Sequence, residues 1–384
     1  MMKKSYVGVV FGTRPEAIKM APVVFALKEA GVPTKVIVSA QHREMLDQVL
    51  ELFQIEPDVD LDIMVPDQSL AELSANLIKK LDAVIGELDL SAVLVHGDTT
   101  TTFCASLSAF YHQVPVGHVE AGLRTRNIYS PWPEEINRQL TGRIARWNYA
   151  PTRKAMENLL EERVAEDSIL VTGNTVIDAL LMISSRLDSE KALAQRALSR
   201  LGGLGSNVLE SEKLVLITGH RRENFGPGFE RFCEALKRIA LQDSQRQLVY
   251  PVHLNPNVYN LVHSRLQGIE NIHLCEPLQY LEFIYLMKRA RLIITDSGGI
   301  QEEAPALGVP VLVTRDTTER PEAIEAGTAR LVGTDAERIA HEANSLLSSQ
   351  KEWQKMSKAL NPFGDGKAAK RIAAHLREVL QGNQ

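Results

Sequence analysis

The sequence predicts an α/β protein of two similar halves, each built on a parallel sheet with helices over both faces. Three observations predict it. Short apolar runs rich in β-branched residues alternate with helical patterns along the whole chain, as in sheets buried on both sides. The 384 residues exceed one typical domain and suffice for two, each with a full core. The polar residues suited to chemistry gather where the apolar runs end, and ligands of open α/β sheets bind at the carboxyl ends of strands.

Strands are expected first at Tyr6–Phe11, Lys35–Val38, Ala92–His96, Val114–Val119, Trp147–Ala150 and Ile169–Thr172. Between them, Ser69 to Leu88 reads as a helix. Ser69 and Glu72 form a capping box, and Leu70, Leu73, Leu77, Leu81, Val84 and Leu88 make one apolar stripe. The second half repeats the plan, with strands at Leu214–Thr218, Gln247–Val252, Asn271–Cys275, Leu292–Thr295, Val309–Val313 and Arg330–Val332. Ser184 to Glu212 starts helical and charged, then carries Gly202-Gly203-Leu204-Gly205. The hinge is placed near Gly173 to Asp178, giving domains 1–173 and 174–362. After the break Asn361-Pro362-Phe363-Gly364-Asp365-Gly366, a last helix from Lys367 to Leu380 sets Ile372, Leu376 and Leu380 on one face. Residues 363–384 are expected to pack back on the first domain.

The net charge of -5 is mild and mixed, with no basic block to attract nucleic acid or an anionic membrane. No apolar stretch approaches a membrane span. Met1-Met2-Lys3-Lys4 before Tyr6–Phe11 has the look of a secretion signal, but Gly12-Thr13-Arg14 ends the apolar run too soon, so it reads as a first strand. Cys104, Cys233 and Cys275 lie far apart without metal-type spacing, and they read as reduced thiols of a cytoplasmic protein.

The most informative stretch is Thr295-Asp296-Ser297-Gly298-Gly299-Ile300-Gln301-Glu302-Glu303-Ala304-Pro305. A buried strand runs into paired glycines and then into a helix, so backbone amides with no Cβ in the way can approach phosphate oxygens. An ordinary tight turn explains the glycines equally well. Glu302 and Glu303, one turn on, favour a ligand that also carries sugar hydroxyls. The other strand ends are loaded too. The first runs into Arg14, Pro15 and Lys19, the second into Gln41-His42-Arg43, the third into His96-Gly97-Asp98 and the fourth into Glu120-Ala121-Gly122-Leu123-Arg124. A proline-bounded loop, Ser130-Pro131-Trp132-Pro133, holds Glu134, and in the second half Leu214–Thr218 ends in Gly219-His220-Arg221. Taken singly, Asp98 and Glu120 read as well as helix caps or partners of Arg124, and His220 as a polar-loop residue. Together they place three acids in one half, and a histidine with cations in the other, at equivalent strand ends.

Several chemistries are excluded. No G-x-G-x-x-G turn follows a strand, so no nicotinamide site is expected. There is no G-x-x-x-x-G-K-[ST] loop, no H-E-x-x-H or Cys/His cluster for a metal, and no G-x-S-x-G turn. Acid/base and electrostatic work on a phosphorylated, hydroxyl-rich ligand remains, which describes a nucleotide sugar.

Eight stretches in order, Gly12–Lys19, Gln41–Gln48, His96–Thr102, Val119–Arg124, Ser130–Glu135, Gly219–Asn224, Asp296–Glu303 and Arg315–Glu322, resemble the non-hydrolysing UDP-N-acetylglucosamine 2-epimerases of bacterial surface-polysaccharide pathways. The resemblance implies two Rossmann-like, doubly wound domains in a GT-B-like arrangement with the active site in the interdomain cleft, the second domain binding UDP. It implies reversible conversion of UDP-N-acetylglucosamine to UDP-N-acetylmannosamine by elimination of UDP to 2-acetamidoglucal and re-addition, with no redox cofactor and no metal, in a homodimer. By motif match, Asp98, Glu120 and Glu134 correspond to the catalytic acids and His220 to the essential histidine. Arg14, Lys19, Ser297, Gly298, Gly299, Glu303 and Arg320 correspond to substrate-binding positions, and Phe283 to a residue of the uracil pocket. Leu278 stands where some members have glutamine. Gln41, Arg221 and His253 resemble parts of a site for a second, activating UDP-N-acetylglucosamine. The alternatives are a hydrolysing 2-epimerase releasing N-acetylmannosamine and UDP, or a glycosyltransferase of the same fold.

Overall fold

The computed structural model describes residues 5–40, 43–65, 67–221 and 225–382. Its chain divides into two compact units, Met1–Ala179 with Phe363–Gln384, and Leu180–Pro362.

The first unit is organised on a parallel sheet of seven strands: β1 (Tyr6–Phe11), β2 (Thr34–Val38), β3 (Val59–Asp60), β4 (Leu90–His96), β5 (Val116–Val119), β6 (Trp147–Ala150) and β7 (Ile169–Val171). Their order across the sheet is β3-β2-β1-β4-β5-β6-β7. The inner strands are apolar because both faces are covered; Val93 and Val95 on β4 are fully buried against Leu77 and Leu81 of the helix Leu70–Glu87. The Ser69–Glu72 capping box opens that helix, with Glu72 N donating to Ser69 Oγ at 3.3 Å. Its buried residues are Leu73, Leu77, Leu81 and Ile85, each contributing about 2 kcal/mol by leaving water. Ile85 takes the last core position, whereas Val84 and Leu88 of the expected stripe are only partly buried and Leu70 is exposed.

The second unit carries six parallel strands: β8 (Leu214–Thr218), β9 (Gln247–Pro251), β10 (Ile272–Cys275), β11 (Leu292–Thr295), β12 (Val311–Val313) and β13 (Ala329–Leu331). Their order is β10-β9-β8-β11-β12-β13. In both sheets the order reverses beside the first strand, at β1/β4 and at β8/β11. Helices that leave neighbouring strands there go to opposite faces, which opens a crevice at the carboxyl ends. This is the doubly wound α/β class expected from the sequence.

Candidate functional site

At the β1/β4 switch point, Gly12 ends β1 because nothing larger fits: a Cβ there would lie 1.9 Å from Ser39 Oγ. The helix Arg14–Glu29 follows, opened by a capping box of Thr13 and Glu16 with Pro15 in its first turn. The buried Glu16 carboxylate accepts from Gly12 N at 3.0 Å, Thr13 N at 2.8 Å and Thr99 Oγ1 at 2.7 Å, joining the turn after β1 to the turn after β4. This residue is structural. Its Thr-x-x-Glu spacing was the signal by which the sequence advertised it.

Lys19, on the same helix, reaches Glu120 beyond β5, with Nζ to Oε2 at 2.5 Å. Glu120 is nearly buried and takes a left-handed backbone, φ 63°. The same Oε2 accepts from Asn174 Nδ2 at 2.9 Å, and Oε1 lies 3.8 Å from His96 Nε2. Burial pushes His96 down to about 3, so its imidazole is neutral. Asp98 pairs with Arg138 of the helix Glu134–Ile144, and its backbone oxygen accepts from Asn137 Nδ2 at 3.0 Å. Burial raises Asp98 above the ordinary carboxyl range; Arg138 pulls it back and Glu120 pushes it further up. A carboxylate so placed is a stronger base than one in water. Glu134 begins the helix that carries Arg138, half-buried and one turn before it on the same face. Arg14 opens its own helix, half-buried. Arg124 is not the partner of Asp98 or Glu120: it holds Glu162 through two hydrogen bonds, of 2.6 and 2.8 Å.

At the β8/β11 switch point, Asp296 follows β11 and is 1% exposed. Its Oδ2 accepts from the backbone N–H groups of His220 and Arg221, both at 2.8 Å, clamping the loop after β8 onto the end of β11. Asp296 Oδ1 lies 3.7 Å from His220 Nδ1. The His220 ring stacks on His253, centroids 5.4 Å apart and planes within 15°. Burial lowers the pKa of His220; Asp296 opposes that, while His253 and Arg221 add to it. Gln41, the remaining residue of the suggested activator site, lies outside the described residues.

Ser297, half-buried, caps the helix Gly298–Ala306 without a side-chain hydrogen bond, leaving the first-turn amides for an anion. Neither glycine is there for a left-handed turn. A Cβ on Gly299 would meet nothing within 4 Å, and one on Gly298 would come no closer than 3.6 Å, to Glu319. The cations around this turn are held by carboxylates: Arg315 Nη1 to Glu319 at 3.2 Å, Arg221 to the same Glu319 at 3.6 Å, and Arg320 to the buried Glu302. Glu302 therefore faces inward, while Glu303 is half-buried in the same helix. Phe283 stands apart, half-buried on the helix Tyr280–Arg289 that follows β10 at the sheet edge. Leu278 lines a cavity of about 400 Å³ after β10, with Arg200, Leu204, Cys275 and Glu282.

Besides Lys19 for Glu120, three partners were missed from the sequence: Arg138 for Asp98, Asn174 for Glu120 and Asp296 for the backbone of His220. Arg138 had a usable signal, since it falls four residues after Glu134 at the helix start. The other two meet their partners only through the sheet.

Each unit is of the doubly wound α/β class: one carries a partly buried carboxylate among cations at its switch point, the other a glycine-led helix start beside a histidine. A family model described as UDP-N-acetylglucosamine 2-epimerase matches residues 26–377. A probable UDP-N-acetylglucosamine 2-epimerase of Ralstonia solanacearum is 56% identical over 97% of this chain and 98% of its own. The UDP-N-acetylglucosamine 2-epimerase of Escherichia coli K12 is 55% identical over 98% of both chains. A crystal structure of the Neisseria meningitidis UDP-GlcNAc 2-epimerase bound to UDP-GlcNAc aligns with a TM-score of 0.85 at 49% identity, covering 97% of this chain and 100% of that one. The chain belongs to the UDP-N-acetylglucosamine 2-epimerase family, a family of isomerases.

Proposed function

We propose that this chain interconverts UDP-N-acetylglucosamine and UDP-N-acetylmannosamine without hydrolysis, through elimination of UDP to 2-acetamidoglucal and re-addition with opposite configuration at carbon 2. The proton on carbon 2 has no neighbouring carbonyl to acidify it. Departure of the pyrophosphate must first build positive charge at the anomeric carbon, and carboxylates stabilise that charge. The observation that carries the reading is the pairing of Lys19 with Glu120 and of Arg138 with Asp98, two ion pairs within electrostatic reach of each other at the ends of β1, β4 and β5. Asp98, Glu120 and Glu134 share proton removal and return at carbon 2. His220, with Arg221 close by, assists the leaving pyrophosphate as a charge partner or acid. Arg14, Lys19 and Arg320, with the turn Ser297-Gly298-Gly299, hold UDP so that it can return; Glu303 takes the ribose hydroxyls and Phe283 the uracil.

The same reading makes the protein a cytoplasmic homodimer supplying surface-polysaccharide synthesis. Gln41, Arg221 and His253 belong to a second UDP-N-acetylglucosamine site. Incubation with UDP-N-acetylglucosamine in deuterated water tests the chemistry. Reversible mixing of the two UDP-sugars, with one deuterium at carbon 2, is the expected result. One-way release of UDP and N-acetylmannosamine, or turnover only with an added sugar acceptor, overturns the proposal.

A further inference from the structure

The carboxylate of Glu120 needs more than a counter-ion. Lys19 supplies charge, but an ammonium on a flexible stem with three rotatable donors does not fix the plane of a carboxylate. Asn174 does. It follows Gly173 after β7, is 3% exposed, and has its polar groups committed. Its backbone N–H donates to Phe363 O at 2.7 Å, its Oδ1 accepts from Val176 N at 3.1 Å, and its Nδ2 donates to Glu120 Oε2 at 2.9 Å. Because Val176 N–H demands an acceptor, the oxygen end of the amide is assigned, and the nitrogen end is the one presented to Glu120.

Resting on the epimerase reading above, we propose that Asn174 is the positioning residue of Glu120: its locked side-chain amide binds Oε2 and fixes the plane of the carboxylate for proton transfer at carbon 2. Among the described residues, charged and titratable groups that face Glu120 include Lys19 from the helix Arg14–Glu29, His96 on β4, Asp98 beyond β4 and His118 on β5. A simpler role for Asn174 is capping the helix Thr175–Ser189 through its bond to Val176. The two roles separate cleanly, because aspartate caps a helix start as well as asparagine but offers Glu120 no N–H.

The test uses full-length Asn174→Asp beside the wild type and Glu120→Gln. Deuterium exchange at carbon 2 of UDP-N-acetylglucosamine is followed between about pH 5 and 9, with thermal midpoints recorded for each protein. Asn174→Asp is expected to keep the wild-type KM within about threefold and, near pH 5 where the carboxylate pair holds a proton, its thermal midpoint, while kcat falls about 10²-fold at neutral pH from misplacement of the reacting group. Its acid limb moves to higher pH by about one unit or more, because the carboxylate loses a donor and gains a like charge. Wild-type kcat with an unmoved acid limb overturns the proposal. So does a fall in kcat by one factor at every pH together with a thermal midpoint lowered even at pH 5.

A readout independent of turnover comes from the carbon-13 titration of glutamate carboxyl carbons, with the Glu120 resonance identified by its loss in Glu120→Gln. Its midpoint should rise in Asn174→Asp; an unchanged midpoint overturns the positioning role. A wild type that exchanges no hydrogen at carbon 2 sinks the epimerase reading instead, and the carbon-13 titration still decides the role of Asn174.

Discussion

Asp98 and Glu120 hold charge where burial disfavours it, and the cations and amides around them make that tolerable. In the proposed mechanism these two groups act mainly in the transition state. Asp98→Asn and Glu120→Gln should therefore abolish exchange at carbon 2 while UDP affinity, measured by calorimetry, stays within about threefold. Unchanged turnover in both variants would remove the acid assignments. The neighbouring histidines give a second residue-level expectation. Burial pushes His96 down to about 3 and His118 to about 4, below the ordinary 6.5. Between these values the unfolded chain binds more protons than the folded one, so their contribution to stability is present above about pH 6.5 and is lost as pH falls. His118→Gln should flatten the loss of urea-measured stability between pH 7 and 4.5 by up to about 3 kcal/mol; an identical slope would refute it. The acids were legible in the sequence because they end apolar runs. Arg138 left only the hint of its helical spacing from Glu134, and Asn174 left none, because it lies 54 residues from Glu120 and only folding makes the pair neighbours.

At the scale of elements, the strands that could be read were those with an apolar run of their own. β3 was missed because Val59–Asp60 is two residues in a polar stretch, and it exists only by pairing with Ile37 and Val38 of β2. Two expected strands begin two residues later than read, at Val116 and Val311. In each case a proline without an N–H precedes the strand and contributes only its oxygen, Pro115 to Val93 N and Pro310 to Ile293 N. Glycines separate folding from function at this scale. Gly122 has φ +90°, and a Cβ would lie 2.2 Å from Ala155 O. Gly122→Ala should cost roughly 2 to 5 kcal/mol, seen as a large fall in thermal midpoint. Gly299→Ala meets nothing and replaces glycine in a helix, so its thermal midpoint should hold or rise slightly. Its Cβ would stand where phosphate oxygens approach, and UDP affinity should fall by about tenfold or more. Wild-type UDP affinity in Gly299→Ala would rule out the glycine turn as the phosphate cradle.

At the scale of the whole molecule, the two units differ in how the chain closes them. The second is one contiguous stretch, while the first needs residues from both ends of the sequence. Its closing piece is held by specific groups. Asp178 accepts from Ala368 N at 3.2 Å and Ala369 N at 2.9 Å, capping the helix Ala368–Gln381. Arg371 Nη1 donates to Thr172 O at 2.9 Å, and Tyr149 Oη lies 3.1 Å from His375 Nδ1. Ile372 and Leu376 are fully buried, each contributing about 2 kcal/mol. That is a large part of the 5–15 kcal/mol typical of a whole domain. Residues 175–362 expressed alone should thus unfold cooperatively, since the core around Phe229, Leu236, Ile239 and Ile294 lies entirely within them. Residues 1–179 alone should lack a cooperative transition by circular dichroism, and co-expression with 363–384 should restore it. A sharp melt of 1–179 by itself would mean that the returning helix decorates a fold already complete, and that Asp178 caps it without consequence.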